Sequence, residues 1–314
     1  MSKPISLTVL AADFIEYRRR LGFTATTVRC AISQFVKVCG DDLESALSET
    51  GFNRFMDEFH HSSGFTIYEK TRILKQFFEY AKKRGFTAYN IPKGIKPKNK
   101  PIRAYIFTDT QLKALFQAID AYPQQLQSTM NSVDPTMFRL IYGCGLRLSE
   151  AINLRICDVN LKECYLVIRN SKNGKDRQTP FVPSLCARLR DYINECRNKA
   201  RQEDILFPSR TGRAFSKSAV DVRFRDYLLI AGIPRTDGRP RVHDLRHTFA
   251  VNCIRRWWRS GVDVTNALPY LSAFMGHTSC VGTEYYIHLT SDLFPDIVAK
   301  MNESYGDLIV NERN

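Results

Sequence analysis

The segment GHTSCVGTEYYIHL, from Gly276 to Leu289, sets His277 nine residues before Tyr286, with Tyr285 alongside. Three other stretches hold reactive or strongly cationic side chains. GCGLRLSEAINLR carries Arg147 and Glu150, RNSKNGKDRQTP carries Lys172 and Lys175, and VHDLRHTFA carries His243 and Arg246. A phenol has an ordinary pKa of about 10 and is protonated at neutral pH. Cations nearby favour its phenolate and make it a nucleophile. Guanidinium forks match the oxygens of an anionic ester. Taken singly, each residue has an ordinary reading. An arginine after Gly-Leu can pair with Glu150, and a lysine beside Asn-Gly decorates any exposed turn. His243 and Arg246 can lie on a helix surface, and a tyrosine in an apolar stripe is usually core.

The composition narrows the partner. The chain has 314 residues, enough for two domains, with 44% hydrophobic and 11% aromatic residues, a globular balance. Its formal net charge is +14 and its pI about 9.4. That excess favours a polyanion, nucleic acid first and an acidic membrane surface second. No apolar run approaches the roughly 20 residues that span a bilayer. The opening MSKPISLTVLAADF does not read as a secretory leader. Nine cysteines are scattered without a C-x-x-C pair, which reads as reduced, mostly buried thiols in a cytoplasmic, nucleoid-associated protein. No acidic cluster has the pattern of a two-metal nuclease site and no phosphate-binding G-x-x-x-x-G-K-[ST] loop is present, so neither metal nor cofactor is expected.

The fold class reads as mainly α. Residues 1–90 form a small helical domain. LTVLAADFIEYRRRLG puts Leu7, Leu10, Ala11, Phe14 and Tyr17 on one face and stops at Gly22. Further helices carry Val28, Ile32 and Phe35, then Ile67, Leu74, Phe77, Phe78 and Ala81, with a shorter one around 52–59. Residues 91–105 form a basic, proline-rich linker. From Tyr80 to Thr108 there are eight Lys or Arg and no acid, so Lys96, Lys98, Lys100 and Arg103 are candidates for tracking a phosphate backbone. The alternative is a solvated linker. A second, mixed α/β domain spans 106–314. Thr108 and Gln111 form a helix-starting capping box. Helices follow at 135–142 and 149–154. Tyr165 to Arg169 and a strand ending near Val182 flank Asn173-Gly174, a hairpin signal, and helix resumes beyond Pro183.

Together these motifs resemble the tyrosine recombinase, or phage-integrase, family across the whole second domain. The family pattern is an arginine in a G-[LV]-R-x-[SG]-E box, a lysine in a β-hairpin, H-x-x-R, and G-H followed nine residues later by tyrosine. Gly145-Leu146-Arg147 with Glu150, Lys172, His243 with Arg246, and Gly276-His277 with Tyr286 fill it in order. The 277–286 spacing nominates Tyr286 over Tyr285. The segment RRWWRSGVDVTNALPYLSAFMGH is longer and more aromatic than the usual one. With GTEYYIHLT it looks more like recombinases of transposons and other mobile elements.

The resemblance implies a helical core-type (SAM-like) DNA-binding domain and a catalytic domain that together clasp one recombination half-site. It implies Arg147 and Arg246 on the phosphate oxygens, His243 at the phosphate and in proton transfer at the tyrosine, and His277 as a second phosphate donor. Lys172, or Lys175 in the same hairpin, would protonate the leaving 5′-oxygen, and Glu150 would orient its basic neighbours. The implied activity is site-specific recombination of double-stranded DNA bearing inverted-repeat half-sites, through a 3′-phosphotyrosine, without metal or ATP. Dimers on one site and tetramers in synapsis are implied, and whether a partner recombinase joins stays open. The tail at 290–314 packs on a neighbouring protomer or on its own domain. Two other readings stand beside this one: a type IB topoisomerase-like enzyme, and a catalytically silent DNA-binding regulator.

Overall fold

The computed structural model describes residues 5–22, 26–94, 97, 104–123, 129–169, 176–234, 240–277, 283 and 285–290. The chain divides into two compact units, Met1–Pro101 and Ile102–Asn314. Lys96, Lys98, Lys100, Arg103, Lys172, Lys175 and the tail from 291 lie outside the described residues.

The first unit is helical: α1 (Leu7–Arg20), α2 (Thr26–Cys39), α3 (Leu43–Ala46), α4 (Glu49–Asp57) and α5 (Gly64–Lys83). Serines and an aspartate open most of them. Ser6, Asp42, Ser48 and Ser63 each accept a backbone N–H of the first turn, satisfying a donor that has no partner within the helix. The apolar stripes then meet. Phe14, Phe35, Phe55, Phe77 and Phe78 are all nearly or fully buried in one core, with ring centroids 5.3–6.2 Å apart across Phe14–Phe77, Phe35–Phe55, Phe35–Phe77, Phe35–Phe78 and Phe77–Phe78. Three differences from the sequence reading appear. Tyr17 is 45% exposed, because α1 runs past the core at its last turn and the ring rests on Tyr80 instead. The short helix α3 is started by its Asp42 cap and not by apolar periodicity. Ile91, assigned to the linker, is buried in this core.

The second unit holds α6 (Asp109–Asp120), α7 (Met130–Gly143), α8 (Leu148–Ala151), α9 (Pro183–Cys196), α10 (Lys217–Ile230), α11 (Val242–Arg259) and α12 (Val264–Met275). A three-stranded antiparallel sheet has the order β1 (Val159–Asn160), β2 (Tyr165–Ile168), β3 (Arg177–Pro180). The capping box forms: Thr108 accepts from the Gln111 amide while the Gln111 side chain accepts from Thr108. α7 starts five residues before the expected Pro135. The proline costs one rung, but the turn before it is anchored by Asp134, which is fully buried and accepts from Arg223 and Tyr227. β1 is a two-residue strand with no periodicity to announce it. Eight described cysteines are free; Cys39, Cys144 and Cys186 are buried, whereas Cys30 and Cys196 are exposed. No described helix is long and apolar enough to cross a membrane.

Two cores share α11. Val242 and Leu245 belong to the larger one with Phe107, Phe138 and Phe224. Ala250, Val251 and Ile254 belong to a smaller one with Leu268, Leu271, Met275 and Tyr286. Burying apolar side chains into two clusters fixes both the rotation and the tilt of this helix.

Candidate active site

α11 carries His243, Arg246 and His247 at i, i+3 and i+4, and so on one face. Its start is pinned. Asp244, fully buried, accepts from the Arg241 backbone at 2.7 Å and from the Tyr105 backbone at 3.3 Å. Thr248 accepts from the Phe107 backbone at 3.0 Å. The first turn of α11 and the segment at 104–107 therefore hold each other in place.

Arg246 is 1% exposed and points under the site. Its Nη1 donates to the Gly145 carbonyl at 2.6 Å and its Nη2 to the Met275 carbonyl at 2.8 Å. Met275 closes α12, and Gly145 follows the end of α7, so the guanidinium bridges the electronegative ends of two helices. Arg147 donates to the next carbonyl along, Gly276, at 2.9 Å. Two guanidiniums thus sit on consecutive carbonyls. Burial first, then the charge of Arg147, lowers the Arg246 pKa to about 10. An anion placed between two such neighbours would relieve that repulsion.

Glu150 holds the arrangement. One carboxylate oxygen accepts from Arg147 Nη1 (2.8 Å) and Arg177 Nη1 (3.1 Å); the other accepts from the Arg147 amide (2.9 Å) and Arg177 Nη2 (2.8 Å). Burial would raise its pKa, but the arginine forks outweigh it and hold the group at about 2. Arg177, on β3, also donates to the Phe274 carbonyl at 3.0 Å. Two glycines make room. Gly145 has φ +57°, and a Cβ there would sit 2.7 Å from the Phe249 ring. Gly276 has φ +67°, and a Cβ there would meet Arg177 Nη1 at 2.7 Å.

Tyr286 is 2% exposed, at the turn that leads into a 3₁₀ segment, Ile287–Leu289, and not on an α-helix. Its Oη lies 3.2 Å from His247 Nδ1. The ring lies nearly parallel to His277, with centroids 6.1 Å apart, and His277 Nδ1 is 2.7 Å from Thr283 Oγ1. Tyr285 turns away, and its Oη accepts from the Ala104 amide at 3.4 Å. The cations were expected to favour the Tyr286 phenolate. In the structure burial wins over Arg246 and Arg147, and the pKa is raised. His247 and His277 are held at about 4, by burial first and then by arginines: Arg241 and Arg246 for His247, Arg246 and Arg147 for His277. His243 is lowered too, by burial of its ring first and then by His247 and Arg246, although the residue as a whole is exposed.

The structure therefore brings together Arg147, Glu150, His243, Arg246, His277 and Tyr286. It adds three residues absent from the sequence reading: Arg177, His247 and Thr283. Lys172 belongs to the connection between β2 and β3, whose described ends pair Ile168 with Arg177. Among the described residues no group of three His, Cys, Asp or Glu is arranged to hold a metal ion.

The depressed pKa values give stability a defined pH dependence. Glu150, held near 2 against an ordinary 4.5, contributes stability present above pH 4.5 and lost as pH falls toward 2. His247 and His277, near 4 against 6.5, contribute stability present above pH 6.5 and lost as pH falls toward 4. The melting temperature should fall by about 5 °C between pH 7 and pH 5. His247→Gln, which takes up no proton, should flatten that fall. A melting temperature level across this range would contradict two neutral, half-buried imidazoles.

Comparison with known proteins places this geometry in context. The sequence model described as "Phage integrase family" matches residues 106–292. The integrase/recombinase y4rB of Sinorhizobium fredii is 30% identical over 226 residues, 69% of this chain and 71% of that one. Among solved structures, XerH site-specific recombinase bound to palindromic difH substrate aligns at TM-score 0.62 and 19% identity, covering 94% of this chain and 84% of that one. The Tn1549 transposon integrase in complex with transposon right end DNA aligns at TM-score 0.62 and 16% identity, covering 95% and 99%. The last two likenesses are of fold.

Proposed function

This chain belongs to the phage integrase family, the tyrosine recombinases that carry out site-specific DNA recombination, and from that premise we propose that it cuts and rejoins DNA through a covalent 3′-phosphotyrosine at Tyr286. The observation that supports this best is the pair of guanidiniums, Arg147 and Arg246, on the consecutive carbonyls of Gly276 and Met275, both close enough to Tyr286 to act on its hydroxyl. Attack on a phosphodiester gathers negative charge on the non-bridging oxygens, and preorganised forked donors stabilise that charge. Each guanidinium has five N–H donors, and the carbonyls and Glu150 use two on each. Donors therefore remain for phosphate.

In this reading Arg147 and Arg246 clamp the scissile phosphate, His277 and His243 donate to it, Glu150 orients Arg147, and Lys172 protonates the leaving 5′-oxygen. The phosphotyrosine conserves the energy of the broken bond, so a 5′-hydroxyl can rejoin the strand without ATP, and the cations replace a metal. The residue 1–90 domain and the basic 91–105 linker, with Lys96, Lys98, Lys100 and Arg103, would contact the DNA backbone of an inverted-repeat site. The likeness to a transposon integrase, together with the aromatic segment before Gly276, supports a mobile-element role, and the family resemblance extends this to a dimer on one site and a tetramer in synapsis.

Lys172 offers the test. Suicide substrates can be drawn by covalent capture from a randomised pool of nicked duplexes. On them, Lys172→Ala should slow cleavage by about 10² or more, a general-acid contribution. Sulfur at the bridging 5′ position is a better leaving group and should restore much of the rate. Parental cleavage by Lys172→Ala, or a defect that sulfur does not rescue, would refute the assignment. Failure of the parent protein to form any adduct, with or without chelator, would refute the recombinase reading.

A further inference from the structure

We propose that His247 is the base that accepts the Tyr286 proton as the tyrosine attacks. The inference rests on Tyr286 being the nucleophile. It goes further by assigning the proton's destination to a side chain outside the H-x-x-R pair.

The geometry is specific. His247 Nδ1 lies 3.2 Å from Tyr286 Oη, and the two rings are 5.5 Å apart. The other two histidines are engaged differently. His277 Nδ1 is committed to Thr283 Oγ1 at 2.7 Å. His243 meets the His247 ring edge-on, at 4.6 Å and 86°. Tyr285, whose centroid is 6.4 Å from His247, has its hydroxyl on the Ala104 amide.

The electrostatics explain why a base is required. Burial keeps Tyr286 protonated despite two arginines, so the cation cluster supplies no resting phenolate. His247 is neutral at pH 7 for related reasons. It is half-buried, and Arg241 at the cap of its helix, Arg246 within that helix and His277 from the segment after α12 all disfavour its cation. The resting pair is thus a neutral phenol beside a neutral imidazole, and the proposed role requires the tautomer that carries its hydrogen on Nε2. Full transfer between two such groups is uphill. It becomes favourable only in concert with attack, when the phenolate charge passes to phosphorus and the phosphate dianion-like centre stabilises the imidazolium.

The step balances. The Oη–H bond breaks and its proton moves to Nδ1. The freed electron pair forms the O–P bond while the P–O5′ bond breaks, and the departing oxygen takes a proton from the general acid, Lys172 in the reading above. Religation is the reverse. His247 returns its proton to Oη as the tyrosine leaves, so one residue serves both half-reactions.

The experiment is single-turnover cleavage of the captured suicide duplexes by full-length protein, followed from pH 5 to pH 9. In the parent, the adduct is first mapped to Tyr286, and the rate should stay level down to pH 5, because His247, held at about 4, remains neutral over this range. His247→Ala should bind the duplex as the parent does, cleave about 10²-fold more slowly, and gain rate with rising pH as hydroxide replaces the base. Added imidazole should recover part of the loss. His247→Gln keeps a hydrogen-bonding group of similar reach but cannot carry a proton, and should stay slow. It also serves if the alanine variant folds poorly. Parental rates in His247→Ala, or full recovery in His247→Gln, would overturn the role and leave His247 a positioning residue at most. An adduct in the parent on a residue other than Tyr286 would instead overturn the reading on which the inference stands.

Discussion

Tyr286→Phe should bind DNA as the parent does and form no covalent adduct, a loss on the order of 10⁴-fold or more, as when a nucleophile is deleted elsewhere. The substitution removes one oxygen and keeps the ring. That ring packs with Ile254, Leu268, Leu271 and Met275, so the smaller core survives. The hydrogen bond with His247 is lost, at about 1 kcal/mol. A melting-temperature change of only a few degrees is expected, which separates chemistry from folding. Tyr285→Phe is the matched control. Its hydroxyl accepts only a long bond from the Ala104 amide, so cleavage should persist with a modest defect. Gel-shift and denaturing-gel assays on one duplex measure both quantities. An adduct in Tyr286→Phe would place the nucleophile elsewhere.

Arg246→Lys should lower cleavage by about 10²–10³-fold, the cost of removing a preorganised donor to the transition state. The change keeps the charge, so a large effect would come from geometry. The guanidinium spans the Gly145 and Met275 carbonyls, 2.6 and 2.8 Å from its two terminal nitrogens, while still facing Tyr286. A single ammonium cannot make both bonds and also reach a phosphate. One buried carbonyl left without a donor should cost about 1–3 kcal/mol of stability, visible as a lower urea midpoint. Cleavage near the parental rate would show that point charge suffices at this position.

The way the site could be read from sequence follows from its construction. Residues on α11 are spaced by a helix, so His243 and Arg246 were recognisable together, and His247 lies in the same motif at i+4 from His243. That spacing was the available signal for His247, and the H-x-x-R pattern alone drew attention away from it. Arg177 had no local signal. It reaches Glu150 because β3 pairs back along β2, placing residues 27 apart in contact, and one arginine in a basic hairpin looks like any other. Thr283 is likewise known only from its contact with His277.

The helical fold was legible wherever an apolar stripe and a cap coincided, as in α1, α5 and α6. It was less so where capping or pairing acted without a stripe, as in α3 and β1, or where tertiary anchoring of Asp134 carried a helix back past a proline. The direction of the Tyr286 pKa shift is hidden from sequence for a related reason. Sequence counts the cations, but the desolvation that outweighs them appears only when the ring is seen 2% exposed.

The measurement closest to the central claim is the chemical identity of the protein–DNA bond. Protein trapped on a nicked duplex is digested, and the peptide that retains nucleotide is sequenced by mass spectrometry, with both DNA ends characterised. The account predicts a phosphate ester on Tyr286, attached to the 3′ end of the broken strand, with a free 5′-hydroxyl opposite. Attachment through Tyr285, linkage to a 5′ phosphate, or cleaved strands carrying no peptide would contradict it.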